Sequence, residues 1–354
     1  MQFSHLRKTL QSELAPVTLH VPDRRRNRRD VLGIAAAIFT AGLVPTSNPF
    51  AQTSSGAWPS KPIRLVVAFP PGGPTDLVSR VLAQRLSEQL GQSVLVENKP
   101  GAGGNLAAEL VAKANPDGYT VFYNTSAIVI GPSLYAKVNY DTLKDFAPVT
   151  SSASVPLMLV VNSNLPVKTV QEFVAYAKAR PGQFNYASSG TGTITHLAGA
   201  VFVKELGIDA THIPYKGSNP ALLDVASGSV QFMIDTINST LPLIRDGKLK
   251  PLATATGKRS SLLPEVPTFG ETVLPGFEMS AWQGIVVPAG TPAAIIQRLN
   301  EEINKALRHA DVKAKLAVQG AEPLGSSAAE YGSYIRSEFG RWGKIIKDSG
   351  AKAD

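Results

Sequence analysis

The sequence predicts an α/β protein whose two lobes flank a cleft. Three observations support this. Apolar runs of strand length alternate with segments of helical periodicity. The alternation starts twice, near residue 58 and again near residue 157. In each half a glycine-rich loop joins a strand's carboxyl end to a helix. Strand and helix in such alternation argue for a mostly parallel sheet covered by helices. At 354 residues the chain is long enough for two domains of ordinary size.

The first unit opens with residues 63–69 (IRLVVAF), a continuous apolar run expected of a strand buried on both faces. After the loop at 70–75, residues 76–90 place apolar side chains at 77, 78, 81, 82, 86 and 90, and Gly91 ends this helix. Residues 94–97 predict a second strand, 105–114 a second helix and 119–123 a third strand. The second unit predicts strands at 157–161, 184–187, 212–215, 230–234 and 249–255, with helices at 169–179, 195–206 and 220–227. From Met279 the chain returns to a strand at 282–287, then helices at 291–308, 311–319 and 328–348. No low-complexity linker divides the two units, so the lobes are expected to be joined by crossing strands. Strands resume near Leu157 and the C-terminal helices need a sheet face to cover. The expected lobes are therefore 58–155 with 276–354, and 156–275.

The N-terminus reads as an export signal. Arg24-Arg25-Arg26-Asn27-Arg28-Arg29 precedes fourteen uncharged residues, 31–44, and Pro49-Phe50-Ala51 offers a cleavage point before Gln52. A charged region, a short apolar region and a small residue at the cut are the three parts of a secretory signal. Fourteen residues are too few to span ~30 Å of hydrocarbon as a helix. Residues 1–51 are thus expected to be removed near Ala51 and the mature protein to reside in the periplasm. Arg28-Arg29-Asp30-Val31-Leu32 resembles a twin-arginine motif, and the general secretory route stays open beside it.

Composition excludes several chemistries. The chain has no cysteine, which removes disulfides, thiolate nucleophiles, cysteine zinc sites and iron–sulfur clusters. Its five histidines include no pair four apart, so there is no H-E-x-x-H zinc helix. The net charge is +8, but half of it lies in residues 1–51, and the rest is scattered without the cluster that nucleic-acid backbones require. No cofactor is implied: there is no G-x-x-x-x-G-K-[ST], and neither Gly101-Ala102-Gly103-Gly104 nor Gly190-Thr191-Gly192 completes G-x-G-x-x-G.

The functional signal lies in two loops, Pro70-Pro71-Gly72-Gly73-Pro74-Thr75-Asp76 and Ser188-Ser189-Gly190-Thr191-Gly192-Thr193. Glycine permits close backbone approach, and a helix start presents unpaired amides and partial positive charge to an anion. Two such loops at equivalent places point to a shared ligand. An enzyme reading remains beside this, a hydrolase using Ser188, Ser189 and His196, although the G-x-S-x-G elbow is missing. Arg80, four residues after Asp76, suits an intrahelical ion pair. Asp235 follows the strand 230–234, where it could accept from a ligand amine or hydroxyl, or equally cap the next segment. Thr125 and Ser126 follow the third strand as further lining.

These residues resemble the periplasmic receptors of tripartite tricarboxylate transporters, the TctC or Bug family. The resemblance runs from about Trp58 to the C-terminus. It rests on residues 69–76 (FPPGGPTD), 98–105 (NKPGAGGN), 114–120 (ANPDGYT), 185–192 (NYASSGTG), His196-Leu197 and 213–217 (IPYKG). It implies a type II periplasmic binding protein that closes on its ligand and is not an enzyme. It also implies a small carboxylate (di- or tricarboxylate, amino acid or aromatic acid), membrane transporter subunits as partners or an orphan sensory role, and no nucleic acid. Carried over by position, the ligand contacts would be Pro71, Gly72, Gly73 and Asp76 from one lobe, with Ser188, Ser189, Gly190, Thr191 and Thr193 from the other. Ala68 stands where proline is common in the family, and Thr193 where serine is common; the extra methyl could shift specificity.

Overall fold

A computed structural model describes residues 58–349 and 351–353; the expected export signal lies outside the described residues. The first wing begins with β1 (Ile63–Val67), α1 (Pro74–Leu90), β2 (Val94–Asn98), α2 (Asn105–Ala112), β3 (Thr120–Thr125) and α3 (Ala127–Leu134). The chain then enters the long β4 (Phe146–Asn162) and the second wing. That wing holds α4 (Val170–Lys178), β5 (Phe184–Ser188), α5 (Ile194–Glu205), β6 (Ala210–Pro214), α6 (Ser218–Ser227), β7 (Phe232–Thr236), α7 (Ile237–Arg245) and β8 (Leu249–Thr254). It returns through β9 (Ser280–Pro288), α8 (Ala293–Arg308), α9 (Ala310–Val318), β10 (Glu322–Pro323) and α10 (Ala328–Ser349).

One sheet carries both wings, in the order β2-β1-β3-β9-β4-β7-β5-β6, with β8 and β10 also on β4. The outer pairings β1–β2, β1–β3, β5–β6 and β5–β7 are parallel, as short strand–helix–strand units require. The centre departs from the mostly parallel expectation: β3–β9 and every pairing of β4 are antiparallel. The cause is that β4 and β9 are return strands between wings rather than members of a strand–helix–strand unit.

β4 changes partners within its length. Pro156 is the last residue paired with β9, opposite Ser280, and Leu157 is the first paired with β7, opposite Thr236. The strand expected at 157–161 is therefore the second half of a longer one. Its residues Leu157, Met158, Leu159, Val160 and Val161 are fully buried, which accounts for their unbroken apolar run. The first half carries Pro148 and Pro156, with register shifts near Pro148 and Ser151, and lacks the alternation that marks a strand.

Packing follows the wings. α8 lies against α1 and β4, and α10 against α3 and β4. Trp282 of β9 and Trp342 of α10 both donate their indole N–H to Glu338 Oε2 at 2.9 Å, anchoring the last helix on the sheet. In the second wing Phe173 packs edge-on against Phe232 with centroids 5.1 Å apart, and Phe202 lies 5.4 Å from Phe269. Each such ring stabilises the fold by roughly 1.5–3 kcal/mol on burial.

Candidate functional site

Five helices begin at one cavity. Its lining comes from residues 69–71 and 73–75 after β1, 125–127 after β3, Ser189 and 193–195 after β5, 216–220 after β6, and Asp235 and Thr236 at the end of β7. Ala281 and Gln283 of β9 complete it. The space not occupied by atoms is about 680 Å³, open mouth included. The loops leave the carboxyl ends of the parallel strands, where α/β sheets hold their ligands.

The N-cap residues of α1, α3, α5, α6 and α7 are Gly73, Ser126, Thr193, Gly217 and Thr236, and all five line the cavity. Only Thr193 caps with its side chain, accepting from His196 N at 3.4 Å; the other four starts have no side-chain cap. The first-turn amides of α1, α6 and α7 are thus left for a ligand or water, whereas in α3 Ala127 N donates to Thr125 Oγ1 at 3.3 Å and Val129 N to the Ser126 carbonyl at 3.1 Å; the helix dipoles favour a negative ligand.

Of the residues expected at the ligand, Pro71, Gly73, Thr125, Ser126, Ser189, Thr193 and Asp235 line the cavity, whereas Gly72, Asp76, Ser188, Gly190 and Thr191 do not. Each of these five departures has a physical reason. Asp76 turns its carboxylate into the loop: Oδ2 accepts from Gly72 N and Arg80 Nε, both at 2.8 Å, and Oδ1 from Asn98 Nδ2 at 2.8 Å. Burial pushes this carboxyl up, but Arg80, Gly72 N–H and Asn98 outweigh burial and hold it below its ordinary value. Gly72 is spent on that bond, and Arg80, tied to Asp76, is no ligand cation. Ser188 is fully buried, its Oγ accepting from Gly190 N at 3.2 Å and lying 2.7 Å from His212 Nε2. Thr191 gives its carbonyl to Tyr135 OH at 2.8 Å.

The hydrolase constellation does not assemble. His196 accepts from Gly192 N through Nδ1 at 3.4 Å and touches neither serine; its ring stacks on His212 with centroids 4.0 Å apart. Burial pushes His196 down to about 4, and burial with the His196 neighbour pushes His212 down to about 3. Both rings are neutral and poor bases, and Ser188 lies outside the cavity lining.

Asp235 is fully buried at the end of β7. Its Oδ1 accepts from Thr236 N at 2.7 Å and from Thr236 Oγ1 at 3.3 Å, while Oδ2 has no partner in hydrogen-bonding geometry among the described residues. Burial pushes this carboxyl up to about 6, partly offset by the Ser218 hydroxyl, the Thr236 N–H and the Ser239 hydroxyl.

Several lining residues were not singled out from sequence as ligand contacts. Thr195 Oγ1 gathers the second loop, accepting from Ser189 N at 2.9 Å and lying 2.9 Å from both Ser189 Oγ and Thr193 Oγ1. Lys216, Ser218, Asn219 and Thr236 also line the cavity. The available signal was positional: each lies within two residues of the start of a helix that follows a parallel strand.

A cavity between two wings of one α/β sheet, ringed by helix starts, defines a solute-binding receptor of the periplasmic binding-protein kind. More narrowly, the chain belongs to the tripartite tricarboxylate transporter family receptors, whose profile matches residues 78–351. It is 38% identical over 324 residues to BugT of Bordetella pertussis, spanning 91% of this chain and 97% of that one. Among solved structures it is similar to Rpa4515 of R. palustris with adipate, at 39% identity and a TM-score of 0.81, covering 83% of this chain and 99% of that one. It is also similar to MatC (Rpa3494) of Rhodopseudomonas palustris with bound malate, at 34% identity and a TM-score of 0.76, covering 82% and 100%.

Proposed function

We propose that this protein is a non-catalytic periplasmic receptor that captures a small carboxylate in the cavity and delivers it to membrane subunits of a tripartite transporter, or reports it as an orphan sensor. The observation that carries the reading is the convergence of five helix N-caps on one cavity, four of them without a side-chain cap. Similar proteins solved with adipate and with malate support the carboxylate class. Pro71, Gly73, Thr125, Ser126, Ser189, Thr193 and Asp235, with Thr195 and Lys216, would meet the ligand. Gly72, Asp76, Ser188, Gly190 and Thr191 would shape the loops behind them. The lobes would be 58–155 with 276–354, and 156–275, moving about the point where β4 changes partners.

The energetics are sufficient without an arginine. A helix start contributes up to ~2 kcal/mol to a partly buried anion, and hydrogen bonds to a charged group contribute ~1.5–3 kcal/mol each. A few of each reach the ~8 kcal/mol of micromolar binding. Native mass spectrometry of freshly purified protein should reveal a co-purifying acid, bound one to one and released unchanged. Recovery of a chemically altered acid would instead support an enzyme.

A further inference from the structure

Among the described residues, buried polar side-chain atoms without a partner occur at Trp58, Arg85, Gln89, Asp235, Asn238 and Gln319. Of these, Asp235 alone lines the cavity, and it is the only carboxylate. A buried carboxylate oxygen left unpartnered is costly, and such groups in native proteins call for an explanation. Against the burial that disfavours its charge, two features of local geometry favour the ionised form: Oδ1 takes the Thr236 N–H at 2.7 Å, and α7 starts immediately after, its positive end beside the carboxylate. The cavity therefore combines an anion cradle of helix starts with one negative acceptor set into its wall. Lys216, the cation of the lining, is not among the groups acting on Asp235; among the described residues those are the Ser218 and Ser239 hydroxyls and Thr236, so the carboxylate has hydroxyl neighbours but no cation beside it.

We propose that the ligand is a small carboxylate that also carries a hydrogen-bond donor, a hydroxyl or an ammonium group, and that Asp235 Oδ2 accepts from that donor and selects against unsubstituted acids. The proposal rests on the carboxylate-receptor reading above and adds a substituent requirement to it. An acid lacking the donor would leave Oδ2 unpaired, and one placing a second carboxylate there would meet like charge. Sites built around a polar partner discriminate in this way more strongly than apolar pockets.

The test is calorimetry at pH 7.5 on the mature chain with three matched trios: succinate, malate and aspartate; glutarate, 2-hydroxyglutarate and glutamate; phenylacetate, mandelate and phenylglycine. In at least one trio the hydroxy or amino acid should bind tenfold or more tightly than the parent acid. Which of the two binds identifies the donor. Asp235→Asn should reduce that preference to within threefold without lowering the melting temperature of the unliganded protein, as losing a merely structural carboxylate would. Parent acids that bind as tightly as their substituted partners overturn the proposal and leave the receptor reading intact; that comparison uses wild-type protein and needs no variant to fold. A preference that survives Asp235→Asn also overturns it. If none of the nine acids binds, the carboxylate reading fails and this inference fails with it.

Discussion

At Gly72 the backbone has φ +74°, yet a Cβ built there would meet nothing within 4 Å. The requirement is conformational rather than steric, so the cavity is not occluded by a side chain at this position. Gly72→Ala should cost about 1–2 kcal/mol of stability, from the left-handed conformation, and leave affinity within a few-fold. Gly73 is the converse, with an ordinary φ of −78° and a place in the lining, so Gly73→Val should weaken binding more than it weakens the fold. Denaturant midpoints set beside calorimetry with the identified ligand would separate the two, and equal losses at both positions would contradict this assignment. Asp235 sits on the opposite side of the ledger from Asp76. Its folded-state pKa of about 6 stands above the ordinary 3.8, so the native state binds the proton more tightly than the unfolded chain. Its cost is therefore full above pH 6 and fades as pH falls towards 3.8. The groups around it are the Ser218, Thr236 and Ser239 hydroxyls and the Thr236 N–H. Unliganded Asp235→Asn should be more stable than wild type at pH 7.5, by up to ~3 kcal/mol, with the difference gone near pH 4. A variant that is less stable at pH 7.5 would show that the carboxylate is structural. In sequence, Asp76 and Asp235 look alike, each an aspartate near the end of a strand or loop. Only packing reveals that one is fully bonded and the other is not.

Elements with a clean period were legible in the sequence, and those interrupted by proline were not. The expected helix from residue 76 and strand from residue 63 match α1 and β1 to within two residues at each end. α3 and α7 went unseen because Pro132 and Pro242 lie inside them, and a proline within a short apolar segment reads as a break. The structure shows how α3 tolerates its proline. Pro132 has no N–H to offer the carbonyl of Ile128, four residues earlier, and the Thr142 hydroxyl donates to that oxygen instead at 2.6 Å. Thr142 is buried and comes from the segment leading to β4, so the substitute donor is long-range and invisible to local pattern. Thr142→Val keeps the shape and removes the donor. It should destabilise by about 1–3 kcal/mol, the cost of a buried unpaired carbonyl, read as a lower urea midpoint with an unchanged slope. No shift in midpoint would mean that water replaces the hydroxyl. The glycine loops of the site were legible for a related reason: their residues are contiguous and stand between strongly patterned elements. The contributions of Thr195, Gln283 and Thr236 depend on which helix and strand ends meet, a property of the sheet order rather than of any local segment.

Both wings are hydrogen-bonded to β4, so the proposed motion between them would bend that strand rather than slide one sheet past another. The partner change between Pro156 and Leu157 is where that bend would fall, since neither β9 nor β7 spans it. Under the proposed closure, contacts across the cavity would set how the molecule distributes between open and closed forms. Tyr135, following α3 of the first wing, donates its hydroxyl to the Thr191 carbonyl in the second at 2.8 Å. The same ring lies so close to Gly192 that a Cβ there would come within 2.7 Å of it. Farther out, Lys204 of α5 donates to the Asp348 carbonyl of α10. None of the three touches the cavity, so each can bias closure without altering the ligand's partners. Tyr135→Phe deletes one neutral hydrogen bond, about 1 kcal/mol, which under the proposed closure only the closed form would hold. By linkage, affinity should fall by roughly fivefold, mostly through faster dissociation. Solution scattering of the unliganded variant should show a larger radius of gyration than wild type, and saturating ligand should bring the two together. Gly192→Ala, which forces the ring and the loop apart, should act in the same direction and more strongly. If both substitutions leave affinity and dimensions unchanged while the ligand still binds, the Tyr135 contact plays no part in closure and the bend in β4 alone governs it.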